Sequence, residues 1–525
     1  MNSKHTLIAG MIIVALGSAA AARSQPIPIA NAPTPPADAV AIPAGSKQQA
    51  VQDLPRVVED IMKRSKVPGM AVAVVIDGKT VLAQGYGTRE AGKQAPVDAQ
   101  TVFQIASISK SLSATVAAIE VSKGKAAWDD PVSRYLPDFR LSNAYVSERA
   151  TIGDFFAHRS GLPGTAGDDL EDLGYSRNEV IARLRLLPLD AFRTSYHYAN
   201  FSTTIGAQAV AKAAGQPWET LADEQLFKPL GMKSTSYRYA DYEARGNRAV
   251  LHAYQHGAFV PSGQRDADQQ APAGGVSSTV VDMAEWLKLL LADGQYQGKT
   301  LIAPGALLPA LSPQAFSARA HDLDSRSGFY GYGFNVNTEL GGRPSMGHSG
   351  AFLMGTGTTF RIVPSAGIGI VVLTNGAPVG AAESVAATFI DTALYGKPTR
   401  DWFAAYNGAM KAFFEPQADL SGQPDPAKPA PAQAPSQYTG RFDNPYYGPA
   451  EIQEAKGALT LVLGPKGMRF PLRHWDGDTY AFAPAGEAEL VASLASIVFR
   501  MGQGRALGFD IKFYGDSGLG TWTSK

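Results

Sequence analysis

The feature that most constrains how this chain can fold is a break in its pattern near the C-terminus. Residues 417–437, QADLSGQPDPAKPAPAQAPSQ, combine proline, alanine and polar side chains with no apolar period, the composition of a linker. Beyond it, short β-like runs at 458–463, 479–482, 497–501 and 509–513 are separated by Gly, Pro and Asp, and predict a small all-β barrel or sandwich over 438–525. Ahead of it the chain mixes both periods. Helical spacing at 51–66 is followed by strands at 70–76 and 80–86, joined by the turn signal Asp77-Gly78. A mostly helical stretch over 128–299 holds helices at 152–156, 204–213 and 283–291. Strands at 330–337, 355–362 and 367–373 and a helix at 381–394 complete the region. The simplest assembly is a mixed α/β (α+β) domain over 48–396. Its antiparallel sheet takes strands from both ends, is flanked by helices, and carries a helical insert subdomain. A helix at 401–414 then enters the linker, so 397–437 forms a connector.

At 525 residues the chain suits two or three domains. Lys plus Arg equals Asp plus Glu at 47 each, so no charge bias points to nucleic acid or an anionic membrane, and the expected partner is a small molecule or peptide. No cysteine is present, which excludes disulfides, thiolate metal sites, a cysteine nucleophile and a lipid-modified N-terminal cysteine. At the N-terminus, Lys4 precedes an apolar run over 7–16 and small residues to 22, the layout of a signal peptide rather than a membrane span. A proline-rich leader over 23–47 follows. Export to the periplasm or medium is the expectation.

Three local patterns carry chemistry. Within the stretch 101–123, read as a helix that opens on Ser107, Ser107 and Lys110 stand three residues apart on one helical face, where the amine can take the hydroxyl proton. A lysine serves as base only if desolvation lowers its pKa. An ordinary helix N-cap is the plain alternative for Ser107. The second Ser-x-x-Lys, Ser122 to Lys125, falls where the helix should end at Gly124 and reads as a solvated terminus. Tyr198 and Asn200 sit on a bend before a helix and can both face one cavity; a packed tyrosine with an Asn cap is the alternative. Gly347-His348-Ser349-Gly350 precedes a strand expected to start near Ala351, with small residues that let a substrate lie along its edge. Other patterns are decoys. His252 and His256 have a zinc-pair separation without the helix or the glutamate, and Gly515-Asp516-Ser517-Gly518 reads as a turn between final strands. No Gly-x-Ser-x-Gly elbow or phosphate-binding loop is present, so neither a metal nor a cofactor is expected.

In this order, the three patterns resemble those of the serine β-lactamase and penicillin-binding protein superfamily, in its class C, esterase and D-aminopeptidase branch, over 51–394. The resemblance implies that Ser107 is the acyl-accepting nucleophile, Lys110 its proton acceptor and Tyr198 the shuttle to the leaving group. It implies that Asn200 orients a substrate carbonyl, that His348 and Gly350 belong to the substrate-binding strand, and that the backbone N–H groups of Ser107 and Ala351 form the oxyanion hole. His348 replaces the lysine usual in the drug-resistance enzymes; being only partly charged at neutral pH, it counts against β-lactams and favours peptides or esters. The C-terminal unit resembles lipocalin-like barrels appended to D-aminopeptidases. Its aromatic loop over 444–449 is expected either to lean over the active site or simply to connect strands. The expected function is an exported serine hydrolase working through an acyl-enzyme on small peptides or amides, D- or non-standard residues included. Two alternatives stand beside it: an esterase with promiscuous β-lactamase activity, and a non-catalytic penicillin-binding sensor.

Overall fold

Asp77 (φ 48°) and Gly78 (φ 77°) both take the left-handed region, which a tight two-residue hairpin turn demands, and the chain reverses on them. This hairpin, β1 (Gly69–Ile76) and β2 (Lys79–Gly87), follows α1 (Ser46–Ser65) in a computed structural model that describes residues 39–263, 265–515 and 517–524. The expected signal peptide, and the leader as far as residue 38, lie outside the described residues. Helix α1 begins earlier than its spacing suggests, because Ser46 Oγ donates to Ala393 O across the domain. Next in chain order come α2 (Ile108–Ser122), α3 (Ile152–Phe156), α4 (Asp168–Asp172), α5 (Asn200–Ala214) and α6 (Val280–Leu291). Strands β3 (Ala315–Ala318), β4 (Gly328–Tyr330), β5 (Asn335–Thr338), β6 (Pro344–Phe352), β7 (Thr356–Val363) and β8 (Ile368–Thr374) lead to α7 (Ala381–Tyr395) and α8 (Trp402–Met410).

The eight strands form one antiparallel sheet in the order β2-β1-β8-β7-β6-β5-β4-β3, so the N-terminal hairpin pairs with the last strand of the domain. Both faces are covered, which is why β1 reads as an unbroken apolar run. Met70, Val72 and Val74 pack with Leu54, Val58, Phe389 and Ile390 of α1 and α7, while Ala71, Ala73 and Val75 belong to the core that holds Leu112 and Val116 of α2 and Trp286 of α6. Among the described residues no helix is long and apolar enough to cross a membrane.

Two differences from expectation bear on the site. The strand expected over 330–337 is two strands, because Gly333 (φ 76°) turns the chain against α2, and a Cβ there would fall 2.6 Å from Lys110 O. The Gly347–Gly350 motif lies within β6 rather than ahead of it, since β6 is anchored from Pro344 by pairing with β5. The C-terminal unit is a closed barrel of eight strands, β9 (Gly440–Asp443) to β16 (Thr521–Ser524), interrupted by the one-turn helix α9 (Glu487–Leu490). Its interior is filled by Tyr438, Phe499, Phe509 and Trp522. The proline-rich linker is laid along the barrel rather than left free: Leu420 N–H donates to Leu494 O and Ala430 N–H to Asp476.

Candidate active site

The nucleophile turn is built by its neighbours. Ala106 takes φ 47°, a region that costs a Cβ-bearing residue on the order of 1 kcal/mol, and Ser109 holds it there by donating its N–H and Oγ to Ala106 O at 2.9 and 2.6 Å. Ser107 then occupies the N-cap of α2, but its side chain makes no capping hydrogen bond. The plain alternative for this residue therefore fails. Its Oγ instead lies 3.1 Å from Lys110 Nζ. The second Ser-x-x-Lys does terminate α2: Gly124 takes φ 69° and Ser122 Oγ accepts from Ala303 N–H.

Lys110 is fully buried, and its Nζ also reaches Asn200 Oδ1 at 2.7 Å and Ala273 O at 3.0 Å. Burial pushes its pKa down to about 7, against a smaller opposing pull from Asp168. Asn200, the first residue of α5, donates its Nδ2 to Asp168 Oδ2 at 3.0 Å. Its amide is thus committed to Lys110 and Asp168 before any substrate arrives. Two residues earlier, the Tyr198 ring sits with its centroid 4.5 Å from Lys110 Nζ, and its phenol hydrogen-bonds Ser107. Burial pushes the phenol far above its ordinary range, so Tyr198 is a neutral donor and not a phenolate.

His348 is 6 % exposed and stands on β6 opposite Phe360. Its Nδ1 donates to Ser349 O at 2.6 Å, which fixes the tautomer, and its Nε2 accepts from Tyr330 OH at 2.9 Å. Burial, then the nearby Lys110, push its pKa down to about 3. The expectation of a partly charged imidazole is corrected here: His348 is neutral, and both ring nitrogens are occupied. Gly350 faces the nucleophile turn. A Cβ on it would fall 2.2 Å from Ile105 O and 3.0 Å from Ser107 N, so only glycine lets β6 pass against the nucleophile turn. Ala351, next along, lines the cavity with Ser107.

Ser107, Tyr198, Asn200, His348 and Ala351 line a cavity of ≈ 460 Å³. Beyond the motif residues it is lined by aromatic Tyr196, Tyr330 and Phe352 and by carboxyls from separate elements, Asp168 and Asp172 of α4, Glu383 of α7 and Glu487 of α9. Burial pushes Asp172 up to about 7 and raises Glu383 and Glu487. Arg265, paired with Glu171 at 2.8 Å, is a cation of this wall. Sequence reasoning did not single out Tyr330, Glu383 or Glu487, which reach the site only through tertiary folding. The aromatic loop 444–449 does not lean over the cavity. Tyr447 docks on α4, hydrogen-bonding Asp169 through its hydroxyl and accepting from Tyr175 OH at 2.7 Å through its carbonyl. No group of His, Asp or Glu able to hold a metal occurs among the described residues. His252 is consumed structurally, accepting from Ala91 N–H and donating to Asn375 O.

Comparison with known proteins agrees with this geometry. Residues 54–395 match the family model described as Beta-lactamase, and 424–517 match a Domain of unknown function (DUF3471). The "Unguisins hydrolase ungD'" of Aspergillus campestris is 27% identical over 423 residues, 77% of each chain. The D-alanyl-D-alanine-carboxypeptidase/endopeptidase AmpH of Escherichia coli K12 is 27% identical over 333 residues, 62% of this chain and 83% of the relative. The octameric penicillin-binding protein homologue from Pyrococcus abyssi shares the fold with a TM-score of 0.58, at 20% identity, over 88% of this chain and 98% of its own. With the family model spanning most of the chain, and its serine, lysine and tyrosine side chains converging on one cavity, the protein belongs to the Beta-lactamase family of serine hydrolases.

Proposed function

We propose that this hydrolase cleaves small peptides or amides through an acyl-enzyme on Ser107. The observation that carries the reading is the buried Lys110 amine, with a pKa near neutrality, 3.1 Å from the serine oxygen. Lys110 takes the Ser107 proton as Oγ attacks the substrate carbonyl. The oxyanion forms beside the N–H groups of Ser107 and Ala351, each of which contributes about 3 kcal/mol to its stabilisation. Tyr198, hydrogen-bonded to Ser107, relays the proton to the leaving nitrogen. Water then releases the acyl group by the reverse proton path. Export to the periplasm or medium fits a peptidase acting outside the cytoplasm.

Substrate choice follows from charge. A neutral His348 supplies no fixed cation to anchor a substrate carboxylate, the wall cation Arg265 is already paired with Glu171, and carboxyls of α4, α7 and α9 line the cavity. This favours peptides recognised without a free C-terminal carboxylate over penicillins, which carry an obligatory one. Turnover of alanyl anilides, acyl esters and a chromogenic cephalosporin by purified protein, with Ser107→Ala as blank, tests the reading. The anilides and esters are expected to turn over and the cephalosporin to lag. Mass spectrometry showing a lasting penicilloyl adduct with no turnover of any amide would favour the sensor instead.

A further inference from the structure

His158 takes no part in the reaction as written, yet it is 2 % exposed and its ring lies 4.6 Å from that of Tyr198. We propose that His158 is a positioning residue for Tyr198: it holds the peptide N–H groups on both sides of the tyrosine and backs the phenol ring. His197 N–H donates to His158 O at 3.0 Å, and Ala199 N–H donates to His158 Nδ1 at 3.4 Å. To make both contacts the residue takes φ 55° just beyond α3, a conformation that side-chain-bearing residues rarely adopt.

The loop needs this help because it has no local device of its own. Ala199 is the N-cap of α5, and the N3 residue Ser202 turns its Oγ to Phe155 O, so no side chain of the helix start closes a capping box onto the Ala199 N–H. His158 supplies the missing acceptor from a different element. The same bond settles its tautomer: Nδ1 accepts, so the proton is on Nε2, and that buried N–H has no partner. A leucine would fill the space without an orphaned donor. What the imidazole adds is the acceptor for Ala199 and an aromatic wall shared with Tyr196 and Tyr330, at centroid distances of 5.9 and 5.2 Å. Burial, then the neighbouring Lys110 and His348, keep the ring neutral, which leaves Nδ1 free to accept.

This rests on the assignment of Tyr198 to leaving-group protonation, and the test separates the two claims. An alanyl p-nitroanilide needs a proton on its leaving nitrogen; a p-nitrophenyl acyl ester does not. Tyr198→Phe in the full-length enzyme should therefore lose anilide turnover by about 10²-fold or more while the ester falls far less. His158→Leu and His158→Gln are expected to show the same selective loss, about 10²-fold in anilide kcat with KM nearly unchanged. His158→Asn places its Oδ1 where Nδ1 stood and should recover anilide turnover to within about fivefold of wild type. If the leucine variant fails to fold, the Asn and Gln pair, alike in polarity and differing in reach, decides the matter. The proposal is overturned if Asn is no better than Gln, or if anilide and ester fall together, while Tyr198→Phe stays selective. If Tyr198→Phe is itself unselective, the tyrosine assignment fails and takes the positioning role with it.

Discussion

A neutral primary amine has two protons to give and one lone pair, and at Lys110 the surroundings decide where each points. Asn200 Oδ1 and Ala273 O can only accept, so they take the two N–H groups and leave the lone pair for the Ser107 hydroxyl. The sign of the pH dependence follows. Burial lowers the lysine pKa to about 7, and the protonated amine cannot accept a proton. The rate constant kcat/KM on an anilide should thus rise with pH below about 7 and level above it. A profile that instead climbs through the ordinary lysine range would show that the amine is not desolvated in solution. Lys110→Arg, with a charge that does not titrate, should lose about 10²- to 10⁴-fold in kcat at every pH. At this scale the sequence was informative where spacing is local. Ser107 with Lys110, and Tyr198 with Asn200, are fixed by three-residue and two-residue separations. The charge of His348 was not, because neutrality comes from burial and from the nearby Lys110, which sits on a different element. His158 escaped for the same reason: its partner Ala199 lies 41 residues further along the chain.

Strand β6 and the turn before α2 are two elements that must touch for the site to exist, and Gly350 is where they do. Its virtual Cβ meets Ile105 O at 2.2 Å and Thr358 Oγ1 at 2.5 Å, and the carbonyl is backbone that cannot swing away. Gly350→Ala should push β6 from Ser107, destabilise the domain by about 1 to 3 kcal/mol, and lower kcat more than it raises KM. A thermal melt with steady-state kinetics checks both. Unchanged kcat in a folded variant would mean that the strand's approach is not needed for catalysis. Elements bounded by strong local chemistry were readable to the residue. Helix α3 was, because Thr151 and Asp154 cap it reciprocally, and so were the barrel strands 458–463 and 479–482, which turn glycines and aspartates delimit. The strand expected over 330–337 was not, because the Gly333 turn answers to Lys110 O, a partner more than two hundred residues away. Local pattern gives no sign of such a contact.

At the scale of the molecule, α4 joins the two units, since it faces the active site with one side and the barrel with the other. Asp168 holds Asn200, while Asp169 binds Tyr447 and Asp172 packs beside Gly486 of the barrel, where a Cβ would fall 2.1 Å from its Oδ2. The barrel was readable from its short strands and turn residues. Which of its loops meets the cavity was not, because that depends on how two folded units dock. The segment that enters is α9, which brings Glu487 to the cavity wall with Oε1 unpartnered. Its carboxyl is raised by burial, so the anion forms only as pH climbs past the usual carboxylate range. A charge at the cavity wall should discriminate among substrates by sign, with a contribution of about 1 kcal/mol, or roughly fivefold in KM. Two anilides that differ only in a free or an acetylated amine should therefore diverge in KM as pH rises from acid to neutral. In Glu487→Gln that divergence should flatten, while turnover of a short neutral ester stays at the wild-type level because the catalytic groups are untouched. If the KM ratio of the two anilides is the same in both proteins at every pH, the barrel acts only as a brace for α4, and selectivity is set wholly within the N-terminal domain.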